Sequence, residues 1–195
     1  WRAPKSAQAQ LSLSFFKLHG VVYGAPRLCA PAIGFVFYTF LYVALLTFLP
    51  KILGDGRLGQ ILPLISLIGT MLTGVAGRYL RTDQLSRVGF LTVIASAVLM
   101  MIGLEVAVYP LFFCFGIVPA AQFGMIPELN ETQGDRAKAA GAIAQLGNIG
   151  TVAGTPVFAV ILMMFGANAL LWTIVVVSAI GLTAVHLLDR RIRNQ

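Results

Sequence analysis

The sequence predicts an all-α integral membrane protein with six transmembrane helices. The 195-residue chain is 58% hydrophobic and only 11% charged, and its mean hydropathy is +0.86. Soluble domains usually carry about 25% charged residues. Apolar runs of about 20 residues recur along the chain, long enough for an α-helix to cross a hydrocarbon core roughly 30 Å thick. The basic residues lie between these runs.

The apolar runs divide into six spans in chain order. The first two carry no charged residue, and the third carries only Glu105. The third and fourth runs together are too long for one crossing, and we predict a turn at Val108–Leu111 because proline disfavours a helical residue before it. A break at Phe165–Asn168 separates the last two. The predicted spans are 28–49, 58–77, 88–108, 109–127, 139–165 and 167–188.

The basic residues test this count, because Lys and Arg close to membrane spans are retained on the cytoplasmic side. With the amino terminus inside, all of the 14 Lys and Arg except Lys51 and Arg57 fall in inner segments. The loops after the third and fifth spans contain no basic residue. The alternation predicts that both ends of the chain are cytoplasmic. The inner residues are Arg2, Lys5, Lys17, Arg27, Arg78, Arg81, Arg87, Arg136, Lys138, Arg190, Arg191 and Arg193.

Residues 1–27 precede the first span. This segment begins at Trp1 and is basic and partly amphipathic, without the pattern of a signal peptide. We expect it to be the remnant of a central cytoplasmic loop in a longer protein, and the processed end of a six-span protein is the alternative.

The composition argues against several kinds of site. The net charge of +7 follows from membrane topology, and no soluble basic face for nucleic acid is evident. Cys29 and Cys114 both lie within apolar spans, where thiols are ordinary packing residues. We therefore predict no cofactor, metal site or disulfide.

Short matches between the second and fifth spans suggest an internal repeat. The second span contains LISLIGTMLTGVAG and the fifth contains AQLGNIGTVAGTPV, which share Ile-Gly-Thr and a following glycine. Each is the middle member of a group of three spans, so the two groups would cross the membrane in opposite senses, as two inverted three-helix repeats. Small residues at helical spacing in both spans predict close contacts with other helices. They are Ser66, Gly69, Thr70, Thr73 and Gly77, and Gly147, Gly150 and Gly154.

Polar side chains inside spans point toward protein or a water-filled space, because exposing them to lipid is costly. Tyr38 and Tyr42 form a pair on the first span. Gln122 lies on the fourth span, and Gln145 and Asn148 share a face of the fifth. These five residues predict a substrate path, and hydrogen bonding between helices is the alternative.

Two loops resemble signatures of the major facilitator superfamily. The loop after its second helix carries G-x-x-x-[D/R]-x-x-G-x-[R/K]-[R/K], which Gly77, Arg78, Arg81 and Arg87 resemble; Gln84 and Ser86 depart from it. The segment Pro127–Pro156 is similar to the family's connection between its tenth and eleventh helices. Together with the topology, these motifs resemble the carboxy-terminal half of a twelve-helix major facilitator fold.

The resemblance implies a secondary active transporter that moves a small organic solute across a bacterial inner membrane by alternating access. The first, second, fourth and fifth spans would surround the cavity, and an amino-terminal six-helix half of the same transporter would supply its other wall. The cytoplasmic gating residues would include Gly77, Arg78, Arg81, Arg87, Glu128 and Arg136, with Glu128 and Arg136 as a pair. Glu105, the one acid in a span, is a candidate for proton coupling.

Three other classes of membrane protein are alternatives to a secondary transporter. A membrane enzyme would need a nucleophile motif, which is absent, or clustered acids at one face. The acids that cluster are Glu128, Glu131 and Asp135, in a loop beside basic residues, so we predict that the chain is not an enzyme. An ABC-type permease subunit is an alternative, since RAKAAG is similar to the coupling loop that docks on an ATPase. A non-transporting membrane assembly subunit is another.

Overall fold

A computed structural model describes residues 15–195 of the chain, and this part consists of helices joined by short loops, with no strand. Residues 1–14 of the predicted loop, which include Arg2 and Lys5, lie outside the described residues. Five of the helices, α2 to α6, are long and apolar enough to cross a membrane, whereas the sequence predicts six spans. The elements are α1 (Phe15–Gly24), α2 (Pro26–Ile52), α3 (Leu58–Ala76), α4 (Thr82–Met101), a 3-10 turn (Glu105–Ala107), α5 (Val108–Leu129) and α6 (Gln133–Arg193).

Helix α6 is interrupted at Gly166. Its 61 residues would span about 90 Å if straight, three times the thickness of a hydrocarbon core. Gly166 has φ 77° and ψ −175°, a non-helical conformation that glycine adopts without a steric penalty. This residue lies within Phe165–Asn168, where the sequence predicts a break. We refer to residues 133–165 as the amino-terminal arm of α6 and to residues 167–193 as its carboxy-terminal arm.

The turn between the third and fourth predicted spans lies earlier than expected. Helix α4 ends at Met101, Gly103 has φ 91°, and α5 begins at Val108. The prediction of a turn at Val108–Leu111 was wrong, since these residues are helical. Pro110 is tolerated because it lies in the first turn of α5, where backbone N–H groups have no partner within the helix.

Part of the predicted cytoplasmic loop is helical. Residues Phe15–Gly24 form α1, and α2 begins directly afterwards at Pro26. Val22 of α1 is buried in a cluster with Leu28 of α2 and Ala142 of α6. Helix α1 therefore packs against the bundle at the end where α2 begins.

Small residues bring α3 and α5 into direct backbone contact. The Ser66 hydroxyl donates to the carbonyl oxygen of Phe112 at 2.8 Å, and the Thr70 hydroxyl donates to that of Gly116 at 3.1 Å. A side chain at Gly69 or Gly116 would collide with the backbone of the other helix. The predicted role of this small-residue face in helix contact is confirmed.

A second small-residue face joins the amino-terminal arm of α6 to α2. A Cβ atom at Gly147 would lie 2.6 Å from the ring of Phe35, and one at Gly150 would lie 2.6 Å from the carbonyl oxygen of Val36. Gly154 approaches the backbone of Phe40 in the same way. The predicted contact face of the fifth span is therefore confirmed too.

The connections gather at two ends of the bundle. The loop before α4, the end of α5 and the end of α6 meet around Asp83, Glu128 and Asp189. At the opposite end, the turn before α5 lies against Asp55 and, on its other side, against Asn168. Successive long helices and the two arms of α6 therefore run in alternating directions.

Candidate functional site

An open groove of about 370 Å³ lies between α2, α5 and the amino-terminal arm of α6. Three of the five predicted path residues, Tyr38, Tyr42 and Asn148, line it together. Gly147 allows α6 to approach α2 closely beside them. The groove is therefore the place where most of the predicted path residues meet.

Aromatic rings form the α2 side of the groove. Tyr38 and Tyr42 lie with their ring centroids 5.2 Å apart, and Phe35 contacts Tyr38 at 5.4 Å. Phe123 of α5 closes the row by an edge contact with Phe35, at 5.4 Å. Behind them, Phe115 of α5 contacts both tyrosines. The opposite side consists of small and polar residues of α6, including Ala144 and Asn148.

Gln122 lies inside the bundle instead of in the groove. Its side chain is completely buried, and its Nε2 donates to the hydroxyl oxygen of Ser86 on α4 at 2.7 Å. A Cβ atom at Gly34 of α2 would collide with the Gln122 amide, so the glycine leaves room for it. The Oε1 atom has no hydrogen-bond partner within the described part of the chain. The sequence left two roles open for Gln122, in a substrate path or in hydrogen bonding between helices. The structure shows the second.

Gln145 faces α1. Its Oε1 accepts a hydrogen bond from the Tyr23 hydroxyl at 2.9 Å, and both residues border a separate cavity of about 320 Å³ between α1 and α6. His19 and Lys138 also border this cavity. Burial raises the pKa of the Tyr23 phenol, with a smaller contribution from nearby Cys29. The structure thus separates Gln145 from its predicted neighbour Asn148.

Two aspartates organise a cluster of charged residues at the end of the bundle where α4 begins. Asp83 accepts from Arg81 Nε at 2.9 Å and also pairs with Arg87. Asp189, near the end of α6, pairs with Arg87 at 2.6 Å and with Arg193 Nε at 2.9 Å. We call these five residues the charge cluster. It ties the first turns of α4 to the last turn of α6.

Sequence reasoning singled out Arg81 and Arg87 but missed both aspartates. The Asp83 and Asp189 side chains are only 8% and 10% exposed, whereas Arg81 is 52% exposed. A signal was present, because Asp83 precedes Arg87, and Asp189 precedes Arg193, by four positions on one helix face. The two pairs are far apart in the sequence, so the pattern did not show that they lie next to each other in the fold.

The other predicted gating residues have different contacts. Gly77 follows the last residue of α3, and Arg78 is exposed in the loop. Glu128 accepts hydrogen bonds from both the N–H and the hydroxyl of Thr82. Arg136 Nε donates to the carbonyl oxygen of Asn130 at 2.9 Å. The expected pairing of Glu128 with Arg136 is therefore replaced by two separate contacts.

Asp135 lies in the first turn of α6, before the predicted span 139–165. Its carboxylate accepts from Lys138 at 2.8 Å and from the Thr132 hydroxyl at 2.8 Å. These hydrogen bonds, that of Lys138 foremost, lower the pKa of the Asp135 carboxyl. The Thr132 hydroxyl also accepts from the Asp135 N–H at 3.1 Å, which caps the helix.

Glu105 lies at the opposite end of the bundle from the charge cluster. It begins the 3-10 turn between α4 and α5, where its side chain is exposed, and it borders two surface cavities. The predicted span 88–108 places it in the membrane, whereas α4 ends before it. This position is that of a carboxylate that reaches water.

Within residues 15–195, no group of three or more His, Cys, Asp or Glu side chains could hold a metal ion. Cys29 and Cys114 are both buried. Comparison with known protein families and with curated proteins found no match to this chain.

Proposed function

We propose that the chain is the carboxy-terminal six-helix half of a secondary active transporter, similar to the major facilitator superfamily, that moves a small organic solute by alternating access. The groove is the observation that supports this proposal most strongly. It places Tyr38, Tyr42 and Asn148 between α2, α5 and the amino-terminal arm of α6, which are three of the four helices that the resemblance assigns to a substrate cavity. The amino-terminal half of the same transporter would cover its open side.

The helix contacts support an arrangement of two inverted three-helix repeats. In this proposal the arms of α6 are the fifth and sixth spans. The contact of the second span with the fourth, at Gly116, corresponds to the contact of the fifth with the first, at Gly150. The third span meets the fourth where Gly89 faces Val118, and the sixth meets the first where Gly181 faces Phe37, next to Phe90 of the third span. In both cases, replacing spans one, two and three by spans four, five and six, and the reverse, converts one contact into the other.

The distribution of charge supports an orientation. The end that holds the charge cluster also holds Arg27 and Arg136, next to the loop after α5. Basic residues next to membrane spans are retained on the cytoplasmic side. We therefore assign this end to the cytoplasm and propose a location in the bacterial inner membrane.

The charge cluster acts within this half of the transporter. It joins α4 to α6, so its ion pairs would move with the bundle as one body when the two halves rock against each other. Arg78 and the outer face of Arg81 are exposed beside it. We propose that the cluster fixes the loop after α3 so that these two arginines can contact the amino-terminal half in one of the two states. A contact of about 1 kcal/mol is enough to bias a balanced equilibrium.

Transport by the full-length protein tests the proposal directly. The protein is reconstituted into sealed proteoliposomes, and uptake of tritiated glucose, alanine, succinate and indole-3-acetamide is measured. We expect saturable uptake of at least one solute above that of protein-free liposomes. Ala144→Trp places a large ring in the groove and should abolish this uptake. Ala95→Trp, at an exposed position of α4, is the matched control and should leave it unchanged.

Two outcomes contradict the proposal. One is a folded protein that takes up none of the four solutes. The other is uptake that persists equally in the Ala144→Trp and Ala95→Trp proteins, because the solute would then not pass through the groove.

A further inference from the structure

The groove between α2, α5 and α6 presents an aromatic surface to its ligand. Four of its lining residues are Phe35, Tyr38, Tyr42 and Phe123, and their rings form a continuous row in which each contacts the next. Phe123 is 51% exposed, so much of its ring is open to contact. Aromatic rings attract one another in offset or edge-to-face geometry beyond the effect of buried area alone. A flat aromatic ligand would therefore be favoured over an aliphatic one of equal size.

The same groove contains polar groups that the described part of the chain does not use. The hydroxyls of Tyr38 and Tyr42 make no hydrogen bond to residues 15–195, and neither does the Asn148 amide on the opposite side. By contrast, the Thr39 hydroxyl beside them already donates to its own helix. Small-molecule sites combine an apolar lining with a few such polar groups, which orient the ligand. The free phenols and amide can donate to and accept from a ligand that carries an amide, amine or heterocyclic nitrogen.

The lining contains no formal charge. None of the described residues that line the groove is an Asp, Glu, Lys, Arg or His. An anion held there would lose its hydration without gaining a cationic partner, which is costly in a low-dielectric site. A neutral ligand has no such cost, and a cation is attracted to the faces of aromatic rings. The charge pattern therefore selects against negatively charged ligands.

From these three features we infer that the groove binds planar aromatic solutes that carry no net negative charge. This inference rests on the proposed function, because a transporter is what would place such a site inside a membrane. The ring stacks on the row from Phe35 to Tyr42, and the polar substituent reaches Asn148. Neutral and cationic aromatic solutes share this chemistry.

Direct binding to the full-length protein in nanodiscs distinguishes the ligand classes. Tritiated indole-3-acetamide is the probe, and tryptamine, indole-3-acetate and cyclohexylacetamide are competitors that change only the charge or the ring. We expect saturable binding that tryptamine displaces. Indole-3-acetate and cyclohexylacetamide should compete at least about tenfold more weakly, because one is an anion and the other lacks the ring.

Substitutions locate the site. Tyr42→Leu should weaken binding of the probe by about two- to tenfold, the range that corresponds to one aromatic contact. Phe123→Leu should weaken binding of the probe similarly. Because Phe123 is half exposed, this loss of binding would not come from disruption of the bundle core. Tyr42→Phe keeps the ring and should cost less than Tyr42→Leu. Tyr79→Leu, at a residue 84% exposed in the loop after α3, is the control and should leave affinity unchanged.

The inference is overturned if cyclohexylacetamide or indole-3-acetate binds as tightly as the probe, or if neither Tyr42→Leu nor Phe123→Leu weakens binding. Its failure is distinguishable from that of the proposed function. Saturable uptake of glucose, alanine or succinate without indole binding would refute the ligand class and leave the transporter. Indole binding without uptake of any solute would refute the transporter and leave the site.

Discussion

At the scale of single residues, two nearly buried carboxylates determine the geometry of the end of the bundle where α4 begins. Asp83 and Asp189 each contact at least two arginines, and Arg87 lies between them. Arginine suits this position because its planar guanidinium donates in several directions at once. The Arg87 Nε atom is buried without a hydrogen-bond partner among residues 15–195, and both ion pairs of Arg87 are made by one terminal nitrogen, Nη2.

Removing the charge of Asp189 should destabilise the bundle. Asp189→Asn removes one of the two carboxylates that pair with Arg87 and Arg193 and leaves them only Asp83, so we expect the free energy of unfolding to fall by about 1–3 kcal/mol. Chemical unfolding in detergent, followed by circular dichroism, measures the change. Asp55→Asn is the control, since Asp55 is exposed and, among residues 15–195, its side chain accepts only from the N–H of Arg57. Equal stability of the two variants would contradict the role of the cluster.

The first turn of α6 should show a dependence on pH. The pKa of the Asp135 carboxyl is lowered in the folded protein, so its stabilising contribution is present above its unfolded pKa of about 4. The contribution is lost as the pH falls through the lower, folded value. Lys138→Gln removes the principal hydrogen-bond donor and should raise the pKa of Asp135. Carboxyl carbon NMR of the aspartate-labelled protein measures the shift, and an unchanged titration in the variant would refute the assignment.

At the scale of helices, packing depends on residues that lack side chains. Gly69 and Gly116 let α3 and α5 approach until hydroxyls of one helix reach carbonyls of the other. In lipid such contacts replace the hydrophobic drive that water supplies elsewhere. The same principle joins α2 to α6 at Gly147, Gly150 and Gly154.

Gly116→Ala should separate α3 from α5. The added methyl group would collide with the backbone of Ser66, and we expect a loss of about 1–3 kcal/mol in the free energy of unfolding. Gly74→Ala on α3 is the control because a Cβ atom there meets none of the described residues within 4 Å. That substitution should be neutral or slightly stabilising, since alanine favours helix. A control that loses as much stability as Gly116→Ala would refute the account of this contact.

Sequence patterns predicted the helices and their contact faces better than the roles of individual polar residues. Apolar length and small-residue spacing are local properties, so they identified α2 to α6 and the faces around Gly69 and Gly150. The partner of a polar residue depends on which helices meet, and this is a property of the whole fold. Gln122 and Gln145 therefore looked alike in sequence, although one contacts Ser86 and the other Tyr23. The break before α5 was misplaced because a proline in the first turn of a helix resembles one in a turn.

At the scale of the whole molecule, the proposed topology places the loops on alternating sides of the membrane. Tyr79 lies in the exposed loop after α3, and Leu104 lies in the turn after α4. Each is replaced by cysteine in a separate variant, Tyr79→Cys and Leu104→Cys. We expect a membrane-impermeant maleimide to label Tyr79→Cys from the cytoplasmic side only and Leu104→Cys from the opposite side only. Labelling of both from the same side would refute the six-span arrangement.

The central claim is that the groove opens to one side of the membrane and then to the other. The full-length protein with Cys29→Ala, Cys114→Ala and Ala144→Cys carries a thiol in the groove among the described residues. The most direct measurement is the rate at which a membrane-impermeant maleimide labels this thiol in right-side-out and in inside-out vesicles. Val176→Cys, at an exposed apolar position on the carboxy-terminal arm of α6, provides the lipid-facing background. Alternating access predicts labelling above this background from both sides, whereas labelling from one side only, or from neither, would contradict it.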